Sequence, residues 1–194
     1  MSNLSELLPA GAGAKSADFV ASGTLSSGQA VVLNTDGTVS TVTGAVEGAG
    51  TPVVFESAAT YNIGSTYDST NGKVVIAYQD GGNSNYGTAI VGTVSGTSIS
   101  FGTPTVFESA TTSYISATYD STNGKVVIAY RDDGNSSYGT AVVGTVSGTS
   151  ISFGTPTVFE SASTYDISAT YDSTNNKVVI AYRDSGNSSY GTAV

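Results

Sequence analysis

Cysteine, histidine and tryptophan are absent from this 194-residue chain. Without cysteine there is no disulfide scaffold, no thiolate nucleophile and no record of redox compartment. Without histidine the usual imidazole base of serine hydrolases is missing, and the serines lie in turn-like contexts with no evident substitute. Charge is also scarce. Charged residues make up 11% of the chain, with six Lys and Arg against fifteen Asp and Glu, for a net charge of −9. Six scattered cations cannot neutralise a run of phosphates, so nucleic acid is excluded as a partner, and anionic membrane surfaces are disfavoured for the same reason. No run of about 18 apolar residues occurs, so no membrane-inserting helix is expected. The opening MSNLSELLPAGAGAKSADF has neither a basic leader nor an apolar core of about 7 to 15 residues, and assembly in a cytoplasm is expected on that ground.

What is present is glycine (24 residues), with serine, threonine and valine, a composition that favours strands joined by tight turns. The phrase YDSTNGKVVIAYQD begins at Tyr67, returns as YDSTNGKVVIAYRD at Tyr119 and again as YDSTNNKVVIAYRD at Tyr171, 52 residues apart each time. Residues 50–101 match 102–153 at 42 of 52 positions, and 102–142 match 154–194 at 36 of 41, the mark of tandem duplication. Residues 50–194 are therefore a repeat region, with copies at 50–101, 102–153 and an incomplete 154–194.

Ahead of it, residues 1–46 differ in composition. SNLSELL reads as one helical turn ended by Pro9. DFVASGTLSSGQAVVLNTDGTVSTV, from Asp18 to Val42, reads as three short strands with turns at SSGQ and NTDG. This small β-module is expected to anchor the chain, and TGAVEGAG (Thr43 to Gly50) reads as a linker.

Each copy contains four predicted strands, in the middle copy Ile115–Tyr119, Lys125–Arg131, Tyr138–Val146 and Ser150–Glu160. Short connections such as DSTNGK, DDGNSS and VSGT suit antiparallel neighbours. KVVIAY is apolar on both faces, so it must be covered above and below, which one sheet cannot do for itself. Stacked copies can. The expected fold is all-β, with tandem four-stranded antiparallel repeats packed as in a β-propeller; the alternative is an open stack of sheets in a fibre. The period is near that of kelch repeats, although no kelch signature is present. The array starts with GTPVVFES (Gly50 to Ser57), a fourth strand without its first three, and closes with three strands lacking a fourth. Two fragments that sum to one unit suggest either chains sharing a ring, hence a homo-oligomer, or a longer array.

No catalytic residue is assigned. Carboxylates recur once per copy at Asp68/Asp120/Asp172, Asp80/Asp132/Asp184 and Glu56/Glu108/Glu160, whereas a glycosidase needs one asymmetric pair. An Asp before STN or GN accepts hydrogen bonds from turn amides, which is the reading adopted for the two Asp sets. RDDGNSS holds hard oxygen donors, but the alternating Asp/Asn pattern of calcium loops is absent, so no metal or cofactor is assigned. Sialidase Asp-boxes need a tryptophan and are missing. Tyr78, Tyr130 and Tyr182 end the apolar strand and read as core. Tyr86, Tyr138 and Tyr190 stand at loop-strand junctions and are candidate ligand contacts, as rings stacked on sugars would be. The copies differ most at Tyr61/Ser113/Tyr165, Asn62/Tyr114/Asp166, Gln79/Arg131/Arg183 and Gly81/Asp133/Ser185. Such unlike substitutions are expected at solvent-exposed positions near loops, and Arg131, Asp133 and Asp166 join the three tyrosines as candidate ligand-binding residues.

The opening MSNLSELLPAGAGAKSADFVASGTLSSGQAVVLNTDGTVSTV, followed by repeats of the type YDSTNNKVVIAYRDSGNSSYGTAV, resembles virion structural proteins of tailed phages, particularly phages of aquatic bacteria. The resemblance covers essentially the whole chain as a style of sequence and carries over no functional residue. It implies a fibre, spike or decoration protein, located in the virion and not an enzyme. Its N-terminal part would dock on other virion proteins, and its repeats would project outward and contact host-surface glycans. A cellular or secreted repeat lectin is the alternative, and a glycosidase-like propeller fragment the third reading.

Overall fold

A computed structural model describes residues 20–21, 24, 31–41 and 50–194. The chain divides after Gly48 into two compact units, Met1–Gly48 and Ala49–Val194.

In the first unit β1 (Val20–Ala21), β2 (Val31–Leu33) and β3 (Thr38–Thr41) form a sheet in the order β1-β3-β2, with β1 parallel and β2 antiparallel to β3. The NTDG turn forms as its residues dictate. Gly37 takes the left-handed φ of +83° and donates its amide to the Asn34 carbonyl, while Asp36 Oδ1 accepts from the Thr38 amide and hydroxyl. The SSGQ turn and the SNLSELL turn lie outside the described residues.

The second unit is all-β apart from one 3₁₀ turn at Ser185–Asn187. Its strands are β4 (Thr60–Asp68), β5 (Lys73–Asp80), β6 (Tyr86–Ser95), β7 (Ser98–Phe101), β8 (Thr105–Asp120), β9 (Lys125–Asp132), β10 (Tyr138–Ser147), β11 (Ser150–Phe153), β12 (Thr157–Asp172), β13 (Lys177–Asp184) and β14 (Tyr190–Ala193). Eleven strands join in one antiparallel network running β14-β13-β12-β10-β9-β8-β6-β5-β4, with β7 beside β6 and β11 beside β10. The network does not close on itself, which is the open alternative of the two expected arrangements.

Two strands differ from expectation. The fourth strand is interrupted at Gly102–Pro104 and Gly154–Pro156, where proline removes a ladder donor and the chain bulges before pairing resumes. Beyond the bulge it does not end at Glu108 or Glu160. ESATTS and ESASTY contain no turn-forming glycine, proline or asparagine, so the backbone stays extended and the fourth strand of one copy becomes the first strand of the next. β8 is thus one 16-residue strand whose first half pairs with β6 and whose second half pairs with β9; β12 does the same between β10 and β13. The expected strand in Gly50–Ser57 is not formed, because no third strand lies beside it among the described residues.

Sharing β8 and β12 brings three sheets into face-to-face contact. Their first strands lie so close that a Cβ on Gly64 would sit 3.1 Å from the Ile115 carbonyl oxygen and 3.3 Å from the Ser116 Cα. Tyr119 donates across the gap to Thr70 Oγ1 at 2.6 Å, and Tyr171 to Thr122 Oγ1 at the same distance. The core fills the spaces between sheets: Val75, Ala77, Ala89 and Val91 of the first face Val126, Ile128, Tyr130 and Val142 of the second. The doubly apolar KVVIAY strand is buried on both faces in the middle copy, with Ile128, Ala129 and Tyr130 all fully covered, whereas in the third copy Val179 and Ala181 are exposed.

One aromatic joint recurs with each sheet. Phe107, from the strand that closes the first sheet, lies against Gly87 and meets Tyr130 edge-on at 5.2 Å and Phe153 at 5.7 Å in the second. Glu108, beside it, accepts the Tyr130 hydroxyl at 3.1 Å. Burial raises the Glu108 carboxyl above the usual carboxylate range, with the nearby Asp132 charge adding to it. Burial also drives the Tyr130 phenol up, and its counterpart Tyr182 is pushed up to about 12.

Two outcomes follow. Phe107→Ala should cost about 3 to 5 kcal/mol of unfolding free energy, measured in urea, whereas Val143→Ala, at an exposed position, should stay within about 0.5 kcal/mol. Glu108→Gln should be more stable than the parent at pH 7. A carboxyl whose folded pKa is raised opposes folding when ionised, and that opposition fades as pH falls through the folded pKa toward the ordinary value of about 4.3. The advantage of the variant should therefore shrink between neutral pH and about pH 4.

Candidate binding site at the loop ends of the sheets

The recurrent Asp residues are committed to turns. Asp68, Asp120 and Asp172 each accept two backbone amides on Oδ1 and an asparagine side-chain amide on Oδ2. All three carboxyls lie below their ordinary value. For Asp68 burial works against this, and the Asn71 and Thr70 hydrogen bonds outweigh it; for Asp120 and Asp172 the Asn123 and Asn175 side chains are the main cause. Asp80 and Asp132 likewise accept two turn amides, and Asp184 accepts one from Gly186. Among the described residues no three acidic, histidine or cysteine side chains converge as metal ligands would.

The four positions at which the copies differ most converge on one end of the sheets. This end is set by the cross-strand pairs Tyr61↔Gln79, Ser113↔Arg131 and Tyr165↔Arg183, each beside the loop that follows the second strand. Directly after the first residue of each pair the strand bulges. The bulged residue is left-handed in all three copies: Asn62 at φ +50°, Tyr114 at +51° and Asp166 at +53°. For asparagine and aspartate that conformation is common; for tyrosine it is strained. The bulge turns each side chain toward the residue on the second strand, and the three meetings are chemically matched. Asn62 Nδ2 donates to Gln79 Oε1 at 2.8 Å, the Arg131 guanidinium lies 5.1 Å from the Tyr114 ring centroid, and Arg183 Nε donates to Asp166 Oδ2 at 2.9 Å.

The pairs link into a ladder across the second and third sheets. Arg131 lies between Tyr114 and Tyr165, 4.9 Å from the latter, and the two rings meet edge-to-face at 5.5 Å. Arg183 covers Tyr165 at 4.3 Å. Asp133 holds Arg131 from the loop, with Oδ1 accepting Arg131 Nε at 2.7 Å and the Ser137 hydroxyl at 3.0 Å, while Oδ2 accepts the Ser113 hydroxyl. Solvent access grades along the ladder: the Arg131 and Asp133 side chains are 19% and 21% exposed, those of Arg183 and Asp166 42% and 66%. Exposure was expected at all four positions; in the second copy Ser113, Tyr114, Arg131 and Asp133 are all half-buried, as are Gln79, Tyr165 and Arg183, whereas Tyr61, Asn62, Gly81, Asp166 and Ser185 are exposed. An exposed ion pair whose guanidinium lies over a tyrosine ring supplies hydrogen-bond donors and acceptors.

Of the candidate ligand-binding residues, Arg131, Asp133 and Asp166 fall in this ladder. Tyr86, Tyr138 and Tyr190 lie elsewhere. Tyr138 pairs with Asp132, so side-chain alternation puts it on the sheet face of Tyr130, and Arg131 projects from the opposite face. Tyr86 and Tyr190 hold the equivalent places opposite Asp80 and Asp184. Each of these tyrosines follows a turn with two left-handed residues, Ser136 and Ser137 in the second copy. Tyr114 and Tyr165 are the ring contacts that the sequence left as variable positions only. The signal available was the joint change of two positions, Asn with Gln, Tyr with Arg, Asp with Arg. Compared with known proteins, the chain matches no family model, no curated protein and no solved structure.

Matched pairs imply energetic coupling. Tyr114→Asn, Arg131→Gln and the double variant, which transplants the Asn62–Gln79 pair, form a cycle measured by urea unfolding. The double variant should be more stable than the two single losses predict, by at least about 0.5 kcal/mol.

Proposed function

We propose that this chain is a non-catalytic virion component of the fibre, spike or decoration type whose repeats present a glycan-binding edge. The observation that carries the reading is the convergence of the four most divergent repeat positions on one end of the sheets, where they form matched polar and aromatic pairs. The rest of each repeat is held nearly constant by packing and by turn-bound aspartates. Divergence concentrated at one edge of a largely constant scaffold is what a recognition surface requires.

The chemistry of the exposed end of the ladder suits a polyhydroxylated ligand. Arg183, lying over the Tyr165 ring, offers a planar guanidinium and donors, and Asp166 offers acceptors for sugar hydroxyls. A site this open leaves little surplus over the cost of association, so single sites would be weak. Many copies on one particle would raise the effective concentration after the first contact and make attachment useful. The phage resemblance of the N-terminal 42 residues supports placing that multivalency on a virion, with the N-terminal β-module docking on other virion proteins.

A multimerised form of the chain probed on a glycan array tests the binding reading. Binding should be lost in Tyr165→Ala with Arg183→Ala and kept in Tyr138→Ala with Tyr190→Ala. If no glycan is bound, or the first variant binds as the parent does, the recognition reading falls. Gold-labelled antibody against the repeats should decorate phage particles; label confined to bacterial envelopes would favour the cellular lectin.

A further inference from the structure

The turn that joins the first and second strands of each copy lies at the opposite end of the second strand from the ladder, and it carries a reactive dipeptide. It reads DSTNGK from Asp68 to Lys73 and again from Asp120 to Lys125, whereas from Asp172 to Lys177 it reads DSTNNK. Gly72 and Gly124 take φ of +62° and +63°, and Asn176 takes +55° in the third copy. A Cβ on Gly72 would meet only the Tyr67 hydroxyl at 4.0 Å, and one on Gly124 only the Tyr119 hydroxyl at 3.8 Å, so the amide nitrogens of both glycines are uncrowded.

An asparagine followed by glycine is open to cyclisation on its own backbone, because no side chain shields the next amide nitrogen. Asn71 and Asn123 are exposed, so water reaches them. Their side chains are nevertheless held. Asp68 Oδ2 accepts Asn71 Nδ2 at 2.8 Å while Oδ1 accepts the Asn71 amide at 3.0 Å, and Asp120 holds Asn123 in the same way at 2.7 and 3.0 Å. The clamp is itself anchored. Tyr119 of the second sheet donates to Thr70 in the first turn, Tyr171 of the third donates to Thr122 in the second, and Asp68 is 1% exposed.

We infer that Asn71 and Asn123 are sites of spontaneous deamidation and that Asp68 and Asp120 restrain it by holding the asparagine side chain away from the glycine nitrogen. The glycine amide gives its proton to hydroxide and its nitrogen attacks the asparagine side-chain carbonyl carbon. A new C–N bond forms, the bond to Nδ2 breaks, and ammonia leaves with a proton taken from water. Water then opens the cyclic imide at either carbonyl to give aspartate or isoaspartate, so the net change exchanges ammonia for water and no electrons are transferred. Rotating the side chain onto the glycine nitrogen requires Nδ2 to leave Oδ2, which is how the clamp slows the step. Once formed, the product carboxylate faces Asp68 or Asp120 where a donor stood, and like charges replace a hydrogen bond. This chemistry is independent of ligand binding at the ladder.

The full chain, incubated in mildly alkaline buffer and digested, reports each turn by mass spectrometry, with the modified position assigned by fragmentation and isoaspartate resolved by chromatography. Asp120→Asn keeps an oxygen for the turn amides but sets –NH2 where Asn123 donates. It should speed deamidation of Asn123 at least about tenfold, the factor for a charge-assisted hydrogen bond of about 1.4 kcal/mol that must open before reaction. Asn71 in the same molecules should keep the parent rate, which separates a released clamp from general unfolding. Adding Gly124→Asn, the residue of the third copy, should return Asn123 to the parent rate or below. Equal rates at Asn123 in the parent and Asp120→Asn, or a rate undiminished by Gly124→Asn, would each overturn the inference. Should Asp120→Asn unfold the chain, the parent decides: urea should speed loss of ammonia from Asn71 and Asn123 by a similar factor, and equal rates in the folded and unfolded parent would overturn the restraint.

Discussion

The arrangement of the repeats rests on a phenylalanine ring placed over a glycine. Where Phe107 covers Gly87 and Phe159 covers Gly139, the outer strand of one sheet is fixed to its neighbour and also reaches the tyrosine of the next sheet. A side chain on the glycine would close the seat, and a smaller residue than phenylalanine would not span it. Edge-to-face aromatic pairs of this kind add about 0.5 to 1.5 kcal/mol beyond the area they bury. The neighbouring glutamate adds a directional contact to the tyrosine hydroxyl at the cost of a partly buried carboxylate. Sheet pairing, sheet stacking and the placement of the loop ends all depend on this one contact.

Much of this was legible in the sequence. The 52-residue recurrence, the doubly buried KVVIAY strand and the Asp-bound turns follow from local patterning, because each is decided within a few residues. In the third copy Asn176 stands where the first two have Gly72 and Gly124, and all three take a positive φ, as the turn chemistry anticipates. The continuity of the fourth and first strands was not legible as an event, since the absence of a turn in ESATTS is a weaker signal than the presence of one. The breaks at Gly102–Pro104 and Gly154–Pro156 were written in plain turn residues, yet the flanking β-pattern outweighed them.

The site was legible in part. Variation between copies marked four positions that the fold brings to one end of the sheets, because internal duplication lets one chain be compared with itself. The left-handed bulge was not visible, and without it residue 114 would project from the strand and have no reason to meet residue 131. Its consequence is that divergence here is constrained in pairs. Arg131 is half enclosed between two tyrosines and held by Asp133, so the second copy uses a guanidinium where the first uses an amide, each with a partner suited to it.

The shared strand also bears on how such a chain can change in length. Side chains alternate along a strand with a period of two, so one residue inserted between Glu108 and Thr112 would reverse the parity of everything downstream in β8. Ile115 and Tyr119 would leave the core, while the pairing with β6 upstream stayed as it was. An insertion in the serine turns or in VSGT would meet no such penalty, since those segments run over the surface. Growth of the array by whole 52-residue units is the change in length that keeps both halves of every shared strand in phase.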